Sequence, residues 1–394
     1  MKPVRISKWL WAAIPISIAL MPVGALAQSA RPGIDANKAR VVAFWTAERR
    51  AAAIPRDLVV DPRGLGYLRR PDGTLVPYGH RVEAEDGPRV MTPLPFGKPT
   101  GGGGGGGGTG GGGTKMVTNA AWSAGGAVQK AAGRLLFEMG ESYYVCSGTV
   151  ATDDGTSGRS IILTAAHCVY DDTGNAFASN VLFIPDQAHS TGKTDFNCGN
   201  DPIGCWVPSF GVVDVHWTEH VFPANIPWDY AFYVVNDVGA HSYATYSSTD
   251  PSFVAGNSNP DALDDPLWAG SLPLSFGEPK HDVSGSSDFT HALGYSYSKD
   301  PKFMYCAEDM SVNGPDNWWL SHCGLSGGSS GGPWVQPMIT TSGTGPVISV
   351  NSWGYTTGPG MAGPKLFNTS AACVFGNAKG TALTTTAGVA VTCP

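Results

Sequence analysis

The sequence has few charged residues, since Asp, Glu, Lys and Arg together make up only 14% of its 394 residues. It is therefore neither a coiled coil nor a highly charged disordered chain. Long helical periodicity is scarce, and no internal repeat is visible. Glycine and proline instead account for about a fifth of the residues (53 and 30), which favours turn-rich β structure over a helix bundle. The net charge of −7 argues against a nucleic-acid partner.

Long apolar runs are missing beyond residue 27. The first 27 residues contain three basic residues and no acid, and their apolar run ends in Ala25-Leu26-Ala27, a pattern typical of a signal-peptidase site. We therefore predict a signal peptide over residues 1–27 and a secreted protein, extracellular or periplasmic, without a membrane partner after cleavage. An uncleaved membrane anchor is the alternative, because the run is nearly long enough to span a bilayer.

Cysteine is missing from the first 113 residues, and charge divides the chain in the same way. Residues 28–100 carry a net charge of +4, residues 101–113 are twelve glycines and one threonine, and residues 114–394 carry −14 and all eight cysteines. The glycine run reads as a flexible linker, residues 101–114, because no Gly-Lys-Ser/Thr follows it to make a phosphate-binding loop. A large acidic domain, residues 115–394, follows.

The acidic domain shows short runs rich in Val, Ile, Tyr and Phe, separated by turn residues. Such runs predict strands. They are Tyr143–Val150, Ile161–Thr164, Val181–Pro185, Tyr230–Val235, His291–Tyr297 and Pro346–Trp353. We predict an all-β sandwich or barrel. In the basic part, a helix is expected from Asp35 to about Ala53, before Pro55.

Three segments carry residues with catalytic chemistry, in the order His, Asp, Ser. They are Leu163–Val169 around His167, Trp228–Val234 around Asp229, and Ser326–Pro333 around Ser330. Taken singly, each has an ordinary structural explanation, as a strand-end histidine, a turn aspartate and a glycine-rich loop. The glycines near the serine add that backbone N–H groups can converge on one point, as an oxyanion site needs.

Together these segments resemble the chymotrypsin-like serine peptidases. That family has Thr-Ala-Ala-His-Cys around its histidine, Gly-Asp-Ser-Gly-Gly-Pro around its serine and a Ser-Trp-Gly strand like Ser352-Trp353-Gly354 here. The resemblance covers roughly residues 115–375 and is closest to secreted bacterial trypsin-like and V8-like members. It implies two packed six-stranded β-barrels with the site in the cleft between them, and a serine endopeptidase acting on protein or peptide substrates.

The resemblance also implies residue roles. Ser330 is the expected nucleophile, His167 its base and Asp229 the group that orients the imidazole. Backbone N–H groups of Gly328 and Ser330 are expected to form the oxyanion hole. The substrate-binding residues are expected to be Gly324, Ser352, Trp353 and Gly354. No cofactor or metal is expected, since no Cys-x-x-Cys pair and no EF-hand loop is present.

All eight cysteines are expected in disulfides. The resemblance pairs Cys146 with Cys168, which would fix the loop that bears His167. The other pairs follow only from nearness in sequence, which is a modest argument among 105 connectivities. They are Cys198–Cys205, Cys306–Cys323 and Cys373–Cys393.

The sequence departs from the family at two functional points. Ser329 precedes the nucleophile where animal members have Asp, and no Ile-Val-Gly-Gly start is found before Cys146, so animal-style zymogen activation is not expected. Gly324 stands where trypsin-like members have an acid, and Ser352 stands where Glu-specific relatives often have His. Gly354 leaves the pocket open, which favours an apolar or aromatic residue before the scissile bond.

Residues 28–100 are interpreted as a propeptide that docks on the acidic domain, either aiding folding or blocking the cleft, and is then removed near the glycine linker. A retained surface-binding or targeting module is the alternative. For the whole protein, the competing hypothesis is a catalytically inactive, secreted binding protein on a protease fold. An esterase of the α/β-hydrolase type is disfavoured, because its triad runs Ser, Asp, His. The protein is expected to be a monomer.

Overall fold

A computed structural model describes residues 32–79, 115–155, 158–190, 198–237, 262–266, 268–283, 288–297, 302–383 and 386–394. The predicted signal peptide and the glycine-rich linker lie outside these residues. Within them, strands dominate and helices are few and short. No helix in the described part of the chain has the length and apolarity to cross a membrane.

Two helices begin the described chain, and strands separated by turns make up most of the remainder. The helices are α1 Pro32–Phe44, α2 Ala47–Ala52, α3 Gly126–Ala131, α4 Val215–Glu219 and α5 Ala371–Gly380. The strands are β1 Ile54–Pro55, β2 Asp57–Val60, β3 Gly66–Arg69, β4 Leu75–Pro77, β5 Val117–Ala121, β6 Ala132–Met139, β7 Ser142–Ala151, β8 Arg159–Thr164, β9 Tyr170–Asp171, β10 Ala176–Phe177, β11 Ser179–Pro185, β12 Phe210–Asp214, β13 Ala231–Asn236, β14 Phe289–Ser296, β15 Lys302–Asp309, β16 Ser311–Asn313, β17 Asn317–Leu320, β18 Pro333–Val335, β19 Val347–Val350, β20 Trp353–Tyr355, β21 Met361–Pro364 and β22 Gly388–Val391.

The first half of the fold is an eight-stranded sheet in the order β11-β6-β7-β8-β13-β12-β22, with β1 added beside β7. Its central strands are buried along most of their length, because Val, Ile, Leu and Phe fill both faces. The second half comprises a five-stranded sheet, β19-β18-β14-β15-β5, and a seven-stranded sheet, β16-β17-β21-β20-β2-β3-β4. The predicted all-β fold class is thus confirmed.

The largest hydrophobic core lies in the first half and extends into the second. Ile162 and Phe232 of the first sheet belong to the same buried cluster as Leu293 and Val335 of the five-stranded sheet. The two halves therefore share a continuous apolar interface, which fixes their relative position.

The N-terminal segment adds strands to both halves, one to the eight-stranded sheet and three to the seven-stranded sheet. Ile54–Pro55 pairs in parallel with Tyr144–Val145 of β7, and Leu58–Val60 pairs in parallel with Trp353–Tyr355 of β20. We call residues 54–60 the covering segment. Strands β3 and β4 then extend the same sheet outward through antiparallel pairing.

The predicted strands all appear, with small shifts at their ends, as β7, β8, β11, β13 and β14. The run Pro346–Trp353 is divided between β19 and β20. The single helix expected before Pro55 is two helices, broken at Trp45 and Thr46. Thr46 caps the second helix, because its hydroxyl accepts a hydrogen bond from the backbone N–H of Arg49.

All four expected disulfides are present. They join Cys146 to Cys168, Cys198 to Cys205, Cys306 to Cys323, and Cys373 to Cys393. The first ties strand β7 to the loop that follows β8, and the last ties α5 to the C-terminal end of the chain. In the chain-entropy model, each closed loop of this size stabilises the fold by about 2–4 kcal/mol.

Candidate active site

His167 lies in a short 3-10 helix, Ala166–Cys168, directly after β8. Its neighbour Cys168 is fixed by the disulfide to Cys146 and by the Tyr233 hydroxyl, which donates to the Cys168 carbonyl at 2.8 Å. Strand β8 is itself held between β7 and β13. The backbone that carries the imidazole is therefore restrained from several sides.

Asp229 lies at the end of the 3-10 helix Ile226–Trp228, just before β13. One of its carboxylate oxygens accepts from the backbone N–H of His167 at 2.8 Å, and the other lies 2.8 Å from Nδ1 of the same residue. Because Asp229 and His167 are both almost fully buried, this two-point contact fixes the ring plane. A carboxylate at Nδ1 favours the tautomer that keeps the proton on Nδ1 and leaves Nε2 as the base.

Ser352 supplies a third contact that the sequence did not reveal. Its hydroxyl donates a hydrogen bond to the Asp229 carboxylate oxygen that also faces His167. Its backbone N–H pairs with the Ala362 carbonyl at 3.0 Å. Ser352 was predicted to contact substrate, and the structure gives its side chain a different contact, namely with the aspartate.

Ser330 lies in the glycine-rich loop before β18, and the loop is anchored to both halves. The Ser330 carbonyl accepts from the backbone N–H of Ser147 at 2.7 Å, and Cys168 Sγ lies 4.0 Å from the same oxygen. On the other side, the Asn351 amide donates to the Ser329 carbonyl at 2.9 Å. The loop thus brings the serine beside the histidine loop.

Nε2 of His167 is buried and has no hydrogen-bond partner among the described residues. The Asp–His part of the expected triad is therefore assembled, while the bond from Ser330 to His167 is not formed in this conformation. Catalytic hydrogen bonds are often long or poorly aligned without substrate and tighten when it binds.

Gly328 has a backbone conformation, φ +92°, that favours glycine. A Cβ there would lie 2.9 Å from Tyr297 N and 3.0 Å from Tyr295 O, so there is also no room for a side chain. The N–H groups of Gly328 and Ser330 donate to no other backbone group in the described part of the chain. They remain available as a pair of donors, which is what the predicted oxyanion hole requires.

The expected substrate-binding residues lie on β20 and beside β5. Trp353 and Tyr355 pack against Trp319, a residue that the sequence did not single out, with ring centroids 6.4 and 5.4 Å apart. Gly324 is tied to β5, since its N–H donates to the Thr118 carbonyl at 2.7 Å. The backbone of Gly354 is already paired, because its partner in the parallel ladder is Val59.

The covering segment lies close to the catalytic groups. Asp57 stands at its centre, and a Cβ added to Gly327 would lie 2.9 Å from the Asp57 Cβ. Burial raises the pKa of Asp57 to about 6, against the opposing effects of Arg69 and His167. A carboxyl group of the chain's own N-terminal segment therefore lies close to the histidine and to the loop that bears the serine.

Two clusters have the composition of a metal site, but their cysteines are oxidised. One contains Cys146, His167 and Cys168, and the other contains Cys198, Asp201 and Cys205. In each, the two sulfur atoms are joined in a disulfide and are not available as thiolate ligands.

No family model matches the chain, and no curated protein matches it. Among solved structures, it is similar to a thermostable serine protease, AL20, from an extremophilic microorganism, with 24% identity, coverage of 65% of this chain and 100% of that one, and a TM-score of 0.48. It is also similar to the protease Anisep from Arthrobacter nicotinovorans, with 23% identity, 66% and 99% coverage and a TM-score of 0.46. A third similar structure is a Glu endopeptidase, with 15% identity, 66% and 95% coverage and a TM-score of 0.44. With identities below 25% and TM-scores below 0.5, the similarity concerns the path of the chain and not its activity.

Proposed function

We propose that the protein is a secreted serine endopeptidase, made as a precursor whose N-terminal segment covers its own active site. The observation that carries this proposal is the two-point contact between Asp229 and His167, with Ser330 on the adjoining loop. A buried aspartate that both orients a histidine and is itself held by a hydroxyl is the arrangement that nucleophilic acyl transfer needs.

In the proposed reaction, Ser330 Oγ attacks the scissile carbonyl, and His167 Nε2 takes its proton. The tetrahedral oxyanion forms beside the N–H groups of Gly328 and Ser330, each worth about 3–4 kcal/mol in comparable enzymes. His167 then donates the proton to the leaving amine, and the acyl-enzyme is hydrolysed by water through the same groups. Asp229 holds Nδ1 of the imidazole and stabilises the imidazolium that forms.

The direction of the covering segment supports an inhibitory role. In the proposed enzyme, β20 binds the acyl side of a substrate, whose residues precede the scissile bond. The covering segment places its later residues, Leu58–Val60, on β20, and its earlier residues, Ile54–Pro55, on β7. It therefore runs opposite to a substrate, so that its carbonyl groups are not presented to Ser330 in the order that cleavage needs.

Secretion and processing complete the proposal. Four disulfides suit an oxidising compartment, and the N-terminal sequence has the features of a signal peptide. The N-terminal segment is to be removed near the glycine-rich linker, which leaves an acidic, monomeric enzyme that acts on proteins or peptides. The side chains of Leu58 and Trp353 share one buried cluster, which favours an apolar residue on the acyl side of the bond.

The test is Ser330→Ala in the secreted, processed protein, with Ser329→Ala as the matched control. Ser329 is the adjacent serine, and its hydroxyl donates to the Ser326 carbonyl. We expect Ser330→Ala to abolish casein hydrolysis and labelling by a serine-directed fluorophosphonate, and Ser329→Ala to retain both. A wild-type protein that is folded and processed but neither labels nor cleaves would instead be the inactive binding protein.

N-terminal sequencing of the secreted protein tests the precursor. A mature start in or near the glycine-rich linker is expected. A start at or near Gln28 would show that the basic segment is retained.

A further inference from the structure

Arg56, the residue before Asp57, is only 1% exposed although it carries a full positive charge. Its guanidinium lies 3.2 Å from an oxygen of Asp171 and 3.9 Å from an oxygen of Asp172. It also donates to the Tyr78 hydroxyl, and its carbon lies 5.5 Å from the centroid of the Tyr144 ring. Burying an arginine so completely is costly unless charges and hydrogen bonds compensate for the lost water.

Most of this pocket belongs to the domain that remains after processing. Asp171 and Asp172 follow the histidine loop by a few residues, Tyr144 lies on β7, and Met139 ends β6 with its sulfur 2.9 Å from a guanidinium nitrogen. Among the described residues that contact the guanidinium, only Tyr78 comes from the N-terminal segment. The pocket is therefore an acidic and aromatic recess that the N-terminal segment fills with one cationic side chain.

The charges of the recess decide what it can hold. Burial by itself lowers the pKa of Arg56, but Tyr78, Asp171 and Asp172 outweigh it, so the pKa lies above its ordinary value. Asp171 and Asp172 remain when Tyr78 leaves with the N-terminal segment, and carboxylates that face a buried guanidinium favour its charged form.

Asp172 is held in place independently of the arginine. One of its oxygens accepts from the backbone N–H of Phe222 at 2.7 Å and from the Asn225 amide at 2.8 Å. Its other oxygen faces Tyr78 and Arg56, both of which leave with the N-terminal segment. The carboxylate therefore stays oriented toward the recess after processing, with a vacant acceptor for a cationic group.

The recess lies on the leaving-group side of the catalytic serine. Leu58–Val60 occupies β20 on the acyl side, Asp57 lies beside Gly327, and Arg56 continues toward β7 in the opposite direction. A substrate side chain that reached the recess would thus belong to a residue that follows the scissile bond.

We propose that the recess formed by Met139, Tyr144, Asp171 and Asp172 is a subsite that binds an arginine or lysine side chain on the leaving-group side of the substrate. Arg56 occupies it in the precursor, and a basic residue of the substrate takes its place after processing. This inference rests on the proposed endopeptidase activity for its catalytic meaning, but the affinity of the recess for a cation can be measured without turnover.

The first experiment uses the full chain with Ser330→Ala, which prevents self-cleavage. Hydrogen exchange of the covering segment is compared in Arg56→Gln, Asp171→Asn and the double variant, with Arg56→Lys and the surface change Asp154→Asn as controls. We expect each of the first two changes to speed exchange by about tenfold, as loss of a hydrogen bond to a charged group implies. The double variant should exchange no faster than either one, and the two controls should stay close to the parent. Additive effects of the two changes would overturn the proposed pairing.

The second experiment uses the processed enzyme and internally quenched peptides of identical acyl side. Arg, Lys or Gln is placed in turn at each of the first three positions after the scissile bond. We expect kcat/KM to be about tenfold higher for Arg than for Gln at one of these positions, and the preference to fall to less than threefold in Asp171→Asn but not in Asp154→Asn.

The outcomes separate the two proposals. An active enzyme that cleaves the Arg and Gln peptides equally at all three positions overturns the subsite and leaves the endopeptidase standing. A protein that cleaves no peptide and takes no fluorophosphonate refutes the endopeptidase, and the exchange experiment then decides by itself whether the recess binds the cation.

Discussion

Asp57 gives the covering segment a dependence on pH that can be measured. The carboxyl group lies near His167 and next to Gly327, and its ion pair within the described part of the chain is with Arg69, at 3.9 Å. Burial raises its pKa from the ordinary 3.8 to about 6, more than Arg69 and His167 can offset. The folded precursor therefore holds the neutral form of this carboxyl more readily than the unfolded chain does.

The sign of the effect follows from that difference. Below pH 3.8 the Asp57 carboxyl is mostly neutral in both the folded and the unfolded chain, so its ionisation does not lower the free energy of unfolding. As pH rises from 3.8 to about 6, the unfolded chain releases the proton before the folded chain, so stability is lost across this window. The gap between 3.8 and about 6 corresponds to an upper limit of about 3 kcal/mol at neutral pH.

Asp57→Asn in the full chain with Ser330→Ala removes this cost without changing the size of the side chain. We expect the variant to exceed its parent by about 1–3 kcal/mol in free energy of unfolding at pH 8, and to match it at pH 3.5. The measurement is urea unfolding at a series of pH values, followed by tryptophan fluorescence.

Asp61, which directly follows the covering segment, provides a control of opposite sign. Although burial opposes it, hydrogen bonds from Leu65 and Arg63 lower the pKa of Asp61. Asp61→Asn should therefore reduce stability at pH 8, where Asp57→Asn increases it. If Asp57→Asn is no more stable than its parent at pH 8, the site of Asp57 does not favour the neutral carboxyl. The claim that Asp57 is buried beside the catalytic centre would then be wrong.

Three further predictions concern single side chains. Ser352→Ala, which removes a hydrogen bond to Asp229, should lower kcat/KM of the processed enzyme by about tenfold, with Ser352→Thr recovering most of it in peptide assays. Gly331→Ala should cost more than about 2 kcal/mol in urea unfolding, because its Cβ would lie 2.1 Å from a side-chain oxygen, whereas Gly158→Ala, at a similar φ in open space, should cost only about 1 kcal/mol. Burial lowers the pKa of His291 to about 4, so stability should fall as pH drops from 6.5 toward 4, and His291→Phe should flatten that fall in the same assay by about 2–3 kcal/mol.

The strands and the disulfides could be predicted because their signals are local. Runs such as Ile161–Thr164 predict strands by themselves, because β-branched residues favour strands. All four cysteine pairs are separated by 22 residues or fewer. The His, Asp and Ser segments were found through their resemblance to a family, since each alone has an ordinary structural explanation.

Long-range contacts could not be predicted in this way. Ser352 donates to a residue 123 positions earlier, and Arg56 meets Asp171 across 115 positions. The sequence predicted that the basic segment docks on the acidic domain, on the basis of net charge. Charge totals carry no information on direction or register, so neither the reversed path of Ile54–Val60 nor the burial of Arg56 beside Asp171 followed from them.

Strand β20 becomes the edge of its sheet if β2 departs, since β2, β3 and β4 form the outer end of that sheet. An exposed edge presents unpaired N–H and C=O groups to any extended chain, which is what a peptide substrate needs and also what drives self-association. The precursor is thus the form with the protected edge. Concentrated processed enzyme should tend to aggregate or to bind its own unfolded copies, and dilution or a bound peptide should prevent it.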